Sequence, residues 1–324
     1  MDLSVIIVNW NSADYLRTCL TSLYRTTAGI DYEVLVVDNF SHDGCEEIIR
    51  EEFPTVHLIE AKENLGFARA NNLGYGHSSG EILLFLNPDT EIIGDSILRM
   101  VAYLRTHPSV GALGARLLNS DGSLQTSCVQ AFPTICNQVL DFDLLRQLFP
   151  TWKPWGMRAL FARPGQSVEV DAISGACFMV KRSVFEEAGR FGEEYFMYAD
   201  DLDLSYKIRK AGHTIVYLND CQVIHHGGKS SANQADYFAD VLQRESLAQF
   251  FRTTKGSLYS GAYRAALSGI ALIRLALVIC IMPFAGVRLR GKAPGSVFRK
   301  WSRILRWAVG FENWPRTAGT RVGS

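Results

Sequence analysis

The sequence predicts an α/β protein: a mostly parallel sheet flanked by helices, followed by a helical, basic tail. Three observations carry this expectation. Short apolar runs recur at 3–8, 32–37, 56–59 and 82–86, and stretches of helical periodicity fall between them. The polar clusters Asn9-Trp10-Asn11, Asp38-Asn39 and Asn87-Pro88-Asp89 each follow such a run directly. Runs that are apolar at successive positions mark strands buried on both faces. Strand, helix, strand in repetition implies right-handed crossovers and parallel pairing. In open sheets of this kind ligands bind beyond the carboxyl ends of the strands, which directs attention to the three polar clusters.

In chain order, Leu3 to Val8 forms the first strand. Residues 13–26 carry Leu16, Leu20 and Leu23 at spacings of four and three, behind Ser12 as N-cap. Tyr32 to Val37 is the second strand. Over 45–53, Ile48, Ile49 and Phe53 share a helical face, with Asp43 and Glu46 at the N-terminal turn, where the helix dipole favours acids. Asn64 to Asn72 precedes a helix or forms its first turns, and 82–86 is a further strand. Residues 128–167, with Pro133, Pro150, Pro154 and Pro164, read as an insertion or lid over the sheet. Order returns at 168–180, in a helical stretch at 200–211 and in a strand at 214–218, before a polar loop from His225 to Ser231.

With 48% hydrophobic and 20% charged residues over 324 positions, the chain can bury a large core and is neither disordered nor fibrous. Its seven cysteines are scattered and never spaced C-x-x-C, which argues against a disulfide framework or zinc ribbon and suits a reducing compartment. The net charge of zero conceals an asymmetry. From Arg252 to Ser324 there are 13 Lys and Arg against the single acid Glu312; the preceding residues hold the other 20 basic and 32 acidic side chains. Met1 leads straight into the first strand with no basic n-region or cleavage site, so the expected active body is cytosolic.

The tail has its own pattern. Residues 265–289 are almost wholly apolar, broken by Arg274 and Pro283. Trp301, Ile304, Leu305 and Ala308 then recur at i, i+3, i+4 and i+7, with Arg299, Lys300, Arg303 and Arg306 between them. This predicts a helix at a membrane boundary, apolar stripe in lipid and bases against anionic headgroups. Arg274 would cost roughly 2.5–3.5 kcal/mol at the centre of a span, which favours lying on the membrane over crossing it. Docking of the tail on the acidic body is the alternative.

Several residues could carry chemistry. Asp89 projects from a strand end after Pro88; such a carboxylate caps a turn or binds a ligand. Asp200-Asp201 opens a helix behind the aromatic run Tyr195-Phe196-Met197-Tyr198. These acids either complement the helix dipole or, desolvated by the aromatic wall, serve as a general base. His225 at a strand end is a turn residue or, with an Asp on a neighbouring strand end, a ligand for a divalent cation. Arg69 and Lys229 could counter phosphate charge. Neither a Walker loop nor a G-x-G-x-x-G fingerprint is present, which weakens NTPase and dinucleotide-oxidoreductase readings.

Taken together, Val5 to Asn11, Val36 to Gly44, Asn64 to Asn72, Leu86 to Thr90, Gly175 to Met179, Tyr198 to Leu204 and His225 to Ser230 resemble the family 2 inverting glycosyltransferases, most closely their rhamnosyltransferase-like branch. The likeness covers roughly residues 3–250. It implies an A-type, Rossmann-like nucleotide-diphospho-sugar transferase fold over 1–251, with a nucleotide-sugar half at about 1–120 and an acceptor half at about 121–251; 252–324 would be a membrane-associating region. By the same resemblance Asp38 contacts base and ribose, Asn9 and Asn11 line the nucleotide pocket, and Asn64, Gly66, Arg69 and Asn72 face the base and diphosphate. The family's D-x-D motif is Asn87-Pro88-Asp89 here, so Asp89 is the implied Mg²⁺ or Mn²⁺ ligand, with His225 a second and Asn87 beside the donor. Asp201 aligns with the catalytic base, and Asp200 stands where the family carries Glu.

The implied reaction is an inverting, metal-assisted single displacement. It moves L-rhamnose from dTDP-β-L-rhamnose to a polyprenyl-diphosphate-linked saccharide at the cytoplasmic face of an anionic membrane, in cell-surface polysaccharide or cell-wall synthesis. The alternatives are UDP-galactofuranose, UDP-GlcNAc or GDP-mannose as donor on the same fold, and a non-catalytic membrane-associated binding module.

Overall fold

A computed structural model describes residues 1–140, 148–149, 151–163, 165–227, 238–281 and 294–312. Lys229, Gly228, Ser230 and Ser231, the prolines at 150, 164 and 283, and positions 282–289 of the apolar run lie outside the described residues. The elements in chain order begin β1 (Leu3–Asn9), α1 (Ala13–Thr26), β2 (Tyr32–Asp38), α2 (Cys45–Glu52), β3 (His57–Glu60), α3 (Gly66–Gly76) and β4 (Ile82–Leu86). Then come β5 (Thr90–Ile93), α4 (Ser96–Thr106), β6 (Val110–Leu118), β7 (Val129–Gln130), α5 (Ile135–Val139), β8 (Ser167–Glu169), β9 (Ala172–Ile173), β10 (Cys177–Lys181), α6 (Arg182–Glu187), α7 (Asp200–Lys210) and β11 (Thr214–His225). Three helices follow: α8 (Phe238–Lys255), α9 (Ser257–Ile281) and α10 (Pro294–Ala308). The chain divides into two compact units, one of Met1–Phe132, Asp143–Phe196 and Asp200–Ala232, the other of Pro133–Phe142, Met197–Ala199 and Asn233–Ser324.

The first unit is built on a sheet of order β3-β2-β1-β4-β10-β6-β11-β5, with β8 also paired to β11. All seven residues of β1 and all five of β4 are buried, as strands covered on both faces require. The expected parallel pairing holds through β3, β2, β1 and β4 and recurs between β6 and β11. Beyond β4 the sheet is mixed, because β10 runs antiparallel to both β4 and β6, and β11 antiparallel to β5 and β8. An apolar run reports burial on two faces but not the direction of the strand, so the antiparallel insertion of Cys177–Lys181 leaves no mark in the pattern. The register of β1 and β2 sets Asn9 level with Asp38. β11 is interrupted between Leu218 and Gln222; its last residues pair with β5 so that His225 lies opposite Thr90, next to Asp89.

Local chemistry explains the helix starts, with one reassignment. Ser12 occupies the N-cap position of α1, but its hydroxyl donates to the Trp10 carbonyl and makes no cap bond. Asp43 accepts the Ala13 N–H at 2.8 Å instead, while its other oxygen accepts the Cys45 N–H at the start of α2. One carboxylate thus serves two helix N-termini, where the dipole favours negative charge.

In the second unit α8, α9 and α10 pack on one another. Here the expectation for the tail is corrected. Trp301, Ile304 and Ala308 are buried against protein, not directed to lipid, and Leu305 is half-buried. The Trp307 indole donates to Glu245 Oε2 at 2.7 Å, and the Arg264 guanidinium lies 4.6 Å from the Trp307 ring centre. Amphipathic spacing shows that a stripe is buried, not what covers it. Exposed apolar surface lies on α9, at Leu272, Ile273, Leu277 and Ile279. That helix is long and apolar enough to cross a membrane, and its Arg274 stacks 4.2 Å from the ring of Trp301.

Candidate active site

The expected residues fall into three groups along the carboxyl edge of β1, β2 and β4. The first joins the ends of β1 and β2. Asn9 Nδ2 donates to Ser41 Oγ (3.2 Å) and Asp43 Oδ2 (3.3 Å); its Oδ1 is buried and has no partner among the described residues. Asn11 adopts a left-handed backbone (φ 51°), donates its N–H to Ser41 Oγ and accepts the His42 N–H on Oδ1. Asp38, also buried, accepts the Ser41 N–H at 3.3 Å and the Cys45 thiol at 3.5 Å. Burial and the carboxylate of Asp38 push the Cys45 thiol far above its ordinary range. Ser41 is therefore the hub that gathers Asn9, Asn11 and Asp38.

The loop ahead of α3 is tied to the same edge by an amide pair. Asn39 Nδ2 donates to Asn64 Oδ1 (3.0 Å), Asn64 Oδ1 also accepts the Gly66 N–H (2.9 Å), and the Leu65 N–H donates to Asn39 Oδ1 (2.8 Å). Gly66 has φ +75°, and a Cβ there would overlap the carbonyl oxygen of Phe196 and stand 2.7 Å from its ring. The adjacent Phe67 N–H donates to that same carbonyl at 2.9 Å. Glycine is needed because the two backbones meet here. Arg69 and Asn72 sit on α3. Arg69 is half-exposed, 3.8 Å from Glu63, and Asn72 donates to the Phe191 carbonyl and Glu193. No described hydrogen bond joins either residue to the Ser41 hub.

The second group stands at the ends of β4 and β11. His225 Nε2 lies 3.3 Å from Asp89 Oδ1 and 3.3 Å from Asn87 Nδ2. Gln125 orients the ring: its Nε2 donates to the His225 carbonyl (2.9 Å), so the atom 2.8 Å from His225 Nδ1 is Oε1, an acceptor. Nδ1 is therefore the donor, and Nε2 is the nitrogen presented to Asp89 and Asn87. His226 points elsewhere, to Glu91 and Ser120. Two ligands of one small cation, each ~2.1 Å from it, stand roughly 3 Å apart, so the Asp89–His225 spacing fits a Mg²⁺- or Mn²⁺-sized ion. Among the described residues no group of three or more His, Cys, Asp or Glu is placed to hold a metal. A two-ligand site of this kind would take its remaining oxygens from water and a substrate diphosphate, as Mg²⁺ sites commonly do.

The third group opens α7. Asp201 accepts the Gly175 N–H (3.0 Å) and its neighbour Leu202's N–H (2.8 Å). Burial raises its carboxyl above the usual range, against the lowering effect of those two bonds. Asp200 is buried deeper, 5% exposed, and its Oδ2 has no partner among the described residues. Burial, then the charge of Asp201, pushes it up to about 8. Burial thus raises both carboxyls, and the two titrate together as a pair above the ordinary carboxylate range. The preceding Tyr198 and Ala199 both adopt left-handed backbone (φ 69° and 60°), a strained approach to the helix. The second and third groups are linked: the Asn87 N–H donates to the Ala176 carbonyl at 3.0 Å, one residue from the Gly175 that binds Asp201.

A family model described as glycosyl transferase family 2 matches residues 4–189, more than half of the chain. The chain belongs to that family. It is a glycosyltransferase of rhamnosyltransferase-like type. It is 31% identical over 244 residues to an N-acetylglucosaminyl-diphospho-decaprenol L-rhamnosyltransferase of Mycobacterium tuberculosis, an alignment covering 71% of this chain and 77% of the relative. It is 24% identical to the rhamnosyltransferase WbbL of Escherichia coli, over 68% of this chain and 82% of that one. Among solved structures, the mannosyltransferase PcManGT from Pyrobaculum calidifontis, in complex with GDP-Man and Mn²⁺, superposes with a TM-score of 0.55 at 20% identity, covering 95% of this chain and 86% of the other. The A-type fold expected of a glycosyltransferase is the one observed. Sequence reasoning missed Ser41, Asp43 and Asn39 as organisers of the edge, although they lie inside a block that marks the family. It also missed Gln125, which no motif signals because its partner is one hundred residues away.

Proposed function

We propose that this glycosyltransferase moves L-rhamnose from dTDP-β-L-rhamnose, with inversion, onto a lipid-linked saccharide at the cytoplasmic face of the membrane. Residues 1–251 would be the catalytic domain and 252–324 the membrane-associating region. Rhamnose and a polyprenyl-diphosphate-linked acceptor are supported by the M. tuberculosis relative, whose name specifies a decaprenol-diphosphate substrate and rhamnosyl transfer. The apolar, exposed face of α9 supports a membrane-borne acceptor.

The observation that carries the reading is the pairing of Asp89 with His225, linked through Asn87 and Ala176 to the segment that holds Asp201. A divalent cation held by Asp89 and His225 would neutralise charge on the leaving diphosphate. Asp201, fixed by two backbone N–H groups, accepts the proton of the acceptor hydroxyl as that oxygen attacks the anomeric carbon from the face opposite the diphosphate. Asp200, buried beside the base with one oxygen lacking a partner among the described residues, disfavours a second negative charge there. Asn9, Asn11, Asp38, Asn64 and Gly66 form the floor for base and ribose; Arg69 is the α3 side chain offered to the diphosphate, while the Asn72 amide, expected there too, is engaged by Phe191 and Glu193.

Donor binding and turnover across dTDP-rhamnose, UDP-sugars and GDP-mannose, with and without Mn²⁺ or Mg²⁺, test this. Metal-dependent preference for dTDP-rhamnose, lost in Asp89→Ala, and an α-configured rhamnoside by NMR are expected. A uridine or guanosine preference would overturn the donor, a β-configured product the inversion, and metal-independent turnover the role of Asp89.

A further inference from the structure

Among the described residues of the first unit, large exposed apolar side chains are few. They are Met1, Phe40, Ile93, Leu148, Phe149, Trp152 and Phe161, and the last four fall within fourteen residues. Leu148 is 61% exposed, Phe149 55%, Phe161 54% and Trp152 46%. The segment is not loose: Trp155, Met157, Ala159 and Leu160 are buried and anchor its two short 3-10 turns, Lys153–Trp155 and Met157–Phe161. The exposed rings are held against this anchor, Trp152 packing edge-on to Trp155 at 5.4 Å and Phe149 lying 6.5 Å from Trp152. Phe161 lines one groove of about 700 Å³ together with Thr151, Lys153 and Arg158, and Lys153 follows Trp152 directly in the chain.

Charge selects the occupant. Between Asp143 and Glu169 the sequence holds no acid, while Lys153, Arg158 and Arg163 lie among the rings. The acids on the far wall of the groove are engaged: Glu169 pairs with Arg209 at 2.6 Å, and Asp171 accepts the Phe132 N–H. Neither Lys153 nor Arg158 has an ion pair among the described residues. Tryptophan and phenylalanine beside bases that have no ion pair among the described residues form the composition that sits at a lipid headgroup boundary.

We propose that residues 148–149 and 151–163 form a bilayer-contact surface for anionic lipid. Phe149, Trp152 and Phe161 enter the boundary between headgroups and acyl chains, and Lys153 and Arg158 meet headgroup phosphates. A saccharide would call for neutral hydrogen-bonding groups between the rings, and this strip offers chiefly cations. This surface belongs to the catalytic unit itself and is separate in sequence from α9. It rests neither on the donor nor on the Asp89–His225 reading.

Full-length protein is mixed with phosphatidylcholine vesicles bearing bromine on the acyl chains, with or without a minor fraction of phosphatidylglycerol. Quenching of tryptophan fluorescence is compared between wild type and Trp152→Phe. Hydrogen exchange of 148–163 is followed in parallel. The expected result is slowed exchange across 148–163 and a quenched component that disappears in Trp152→Phe, both only with phosphatidylglycerol. Lys153→Ala/Arg158→Ala should bind these vesicles about 10- to 30-fold more weakly, near fivefold per base. Vesicle-bound protein with unchanged exchange at 148–163 and equal quenching in Trp152→Phe would overturn the proposal, as would no vesicle binding or an equal response to neutral lipid. Slowed exchange on adding soluble saccharide alone would reassign the strip to sugar. Trp152→Phe changes an exposed ring conservatively, so its quenching decides even where the double variant folds poorly.

Discussion

Two carboxylate-bearing regions of the catalytic unit are built on opposite terms. In the loop after β2, Asp38 and Asp43 are surrounded by donors: the Ser41, Ala13 and Cys45 N–H groups, the Asn9 amide and the Cys45 thiol. At the start of α7, Asp200 buries an oxygen with no donor, Asp201 holds two, and the chain arrives through two left-handed residues. The first region is a rigid floor whose acids stabilise two helix ends. The second gives up stability to hold two desolvated carboxyls side by side, as reactive sites commonly do. Under the proposed roles, binding and proton transfer make different demands on the same residue type, and the surroundings decide which is met.

The sharpest test of this contrast lies within the pair. Asp201→Asn should lower kcat about 10²–10⁴-fold while leaving donor affinity near wild type, by turnover and titration calorimetry. Asp200→Asn, which keeps the shape and removes the charge, should keep most of the activity; equal losses in both would break the assignment of roles. The pH dependence has a definite sign. Burial raises Asp200 to about 8 from an ordinary value near 3.8, so the native state binds the extra proton and stability falls as pH rises between those values. Asp200→Asn should therefore unfold at a higher temperature than wild type at pH 8.5, with the difference vanishing toward pH 4. Because Asp201 is raised as well, activity should decline on acidification at a higher pH than an ordinary carboxylate would give.

The next effect tests the rigid side. Gly66→Ala sets a methyl group onto the Phe196 carbonyl at a positive φ, so a loss of about 2–3 kcal/mol in chemical denaturation is expected. Gln125→Leu removes the acceptor that orients His225 while both proposed metal ligands stay in the chain. Mn²⁺ affinity should fall roughly 10- to 100-fold by electron paramagnetic resonance, and the nitrogen chemical shifts of His225 should report a changed tautomer. A shifted tautomer with unaltered affinity would separate ring orientation from metal binding.

Much of the parallel half was legible because its strands are covered on both faces, and such burial leaves uninterrupted apolar runs; 82–86 matches β4 residue for residue. The polar clusters were legible as strand-end residues for the same reason. Antiparallel β10, the inward-facing stripe of α10 and the anchored turns of 148–163 were not, since strand direction and the identity of a covering surface are set by distant chain. Gln125 and His225 illustrate the limit: a side-chain amide in a turn acquires its meaning from a ring one hundred residues on.

Asp43 gives the smallest effect and the most direct reading of the floor. Its helix-start sequence suggested a role at α2 alone, and Ser12 stood in the expected capping place for α1. The 2.8 Å bond to Ala13 N–H transfers that task to Asp43, which also holds the Asn9 amide. Asp43→Ala should therefore cost about 1–2 kcal/mol, the ordinary loss of a cap, and Ser12→Ala much less. If the cost at Asp43 were purely structural, donor affinity would follow stability alone. Because Asn9 and Asn11 share the Ser41 hub with Asp38, the Asp43 variant should also bind nucleoside diphosphate several-fold more weakly at temperatures where it is fully folded, as calorimetry would show. Unchanged affinity in a folded Asp43→Ala protein would mean that the floor keeps its shape without this carboxylate, and that its rigidity resides in the Asn39–Asn64 amide pair.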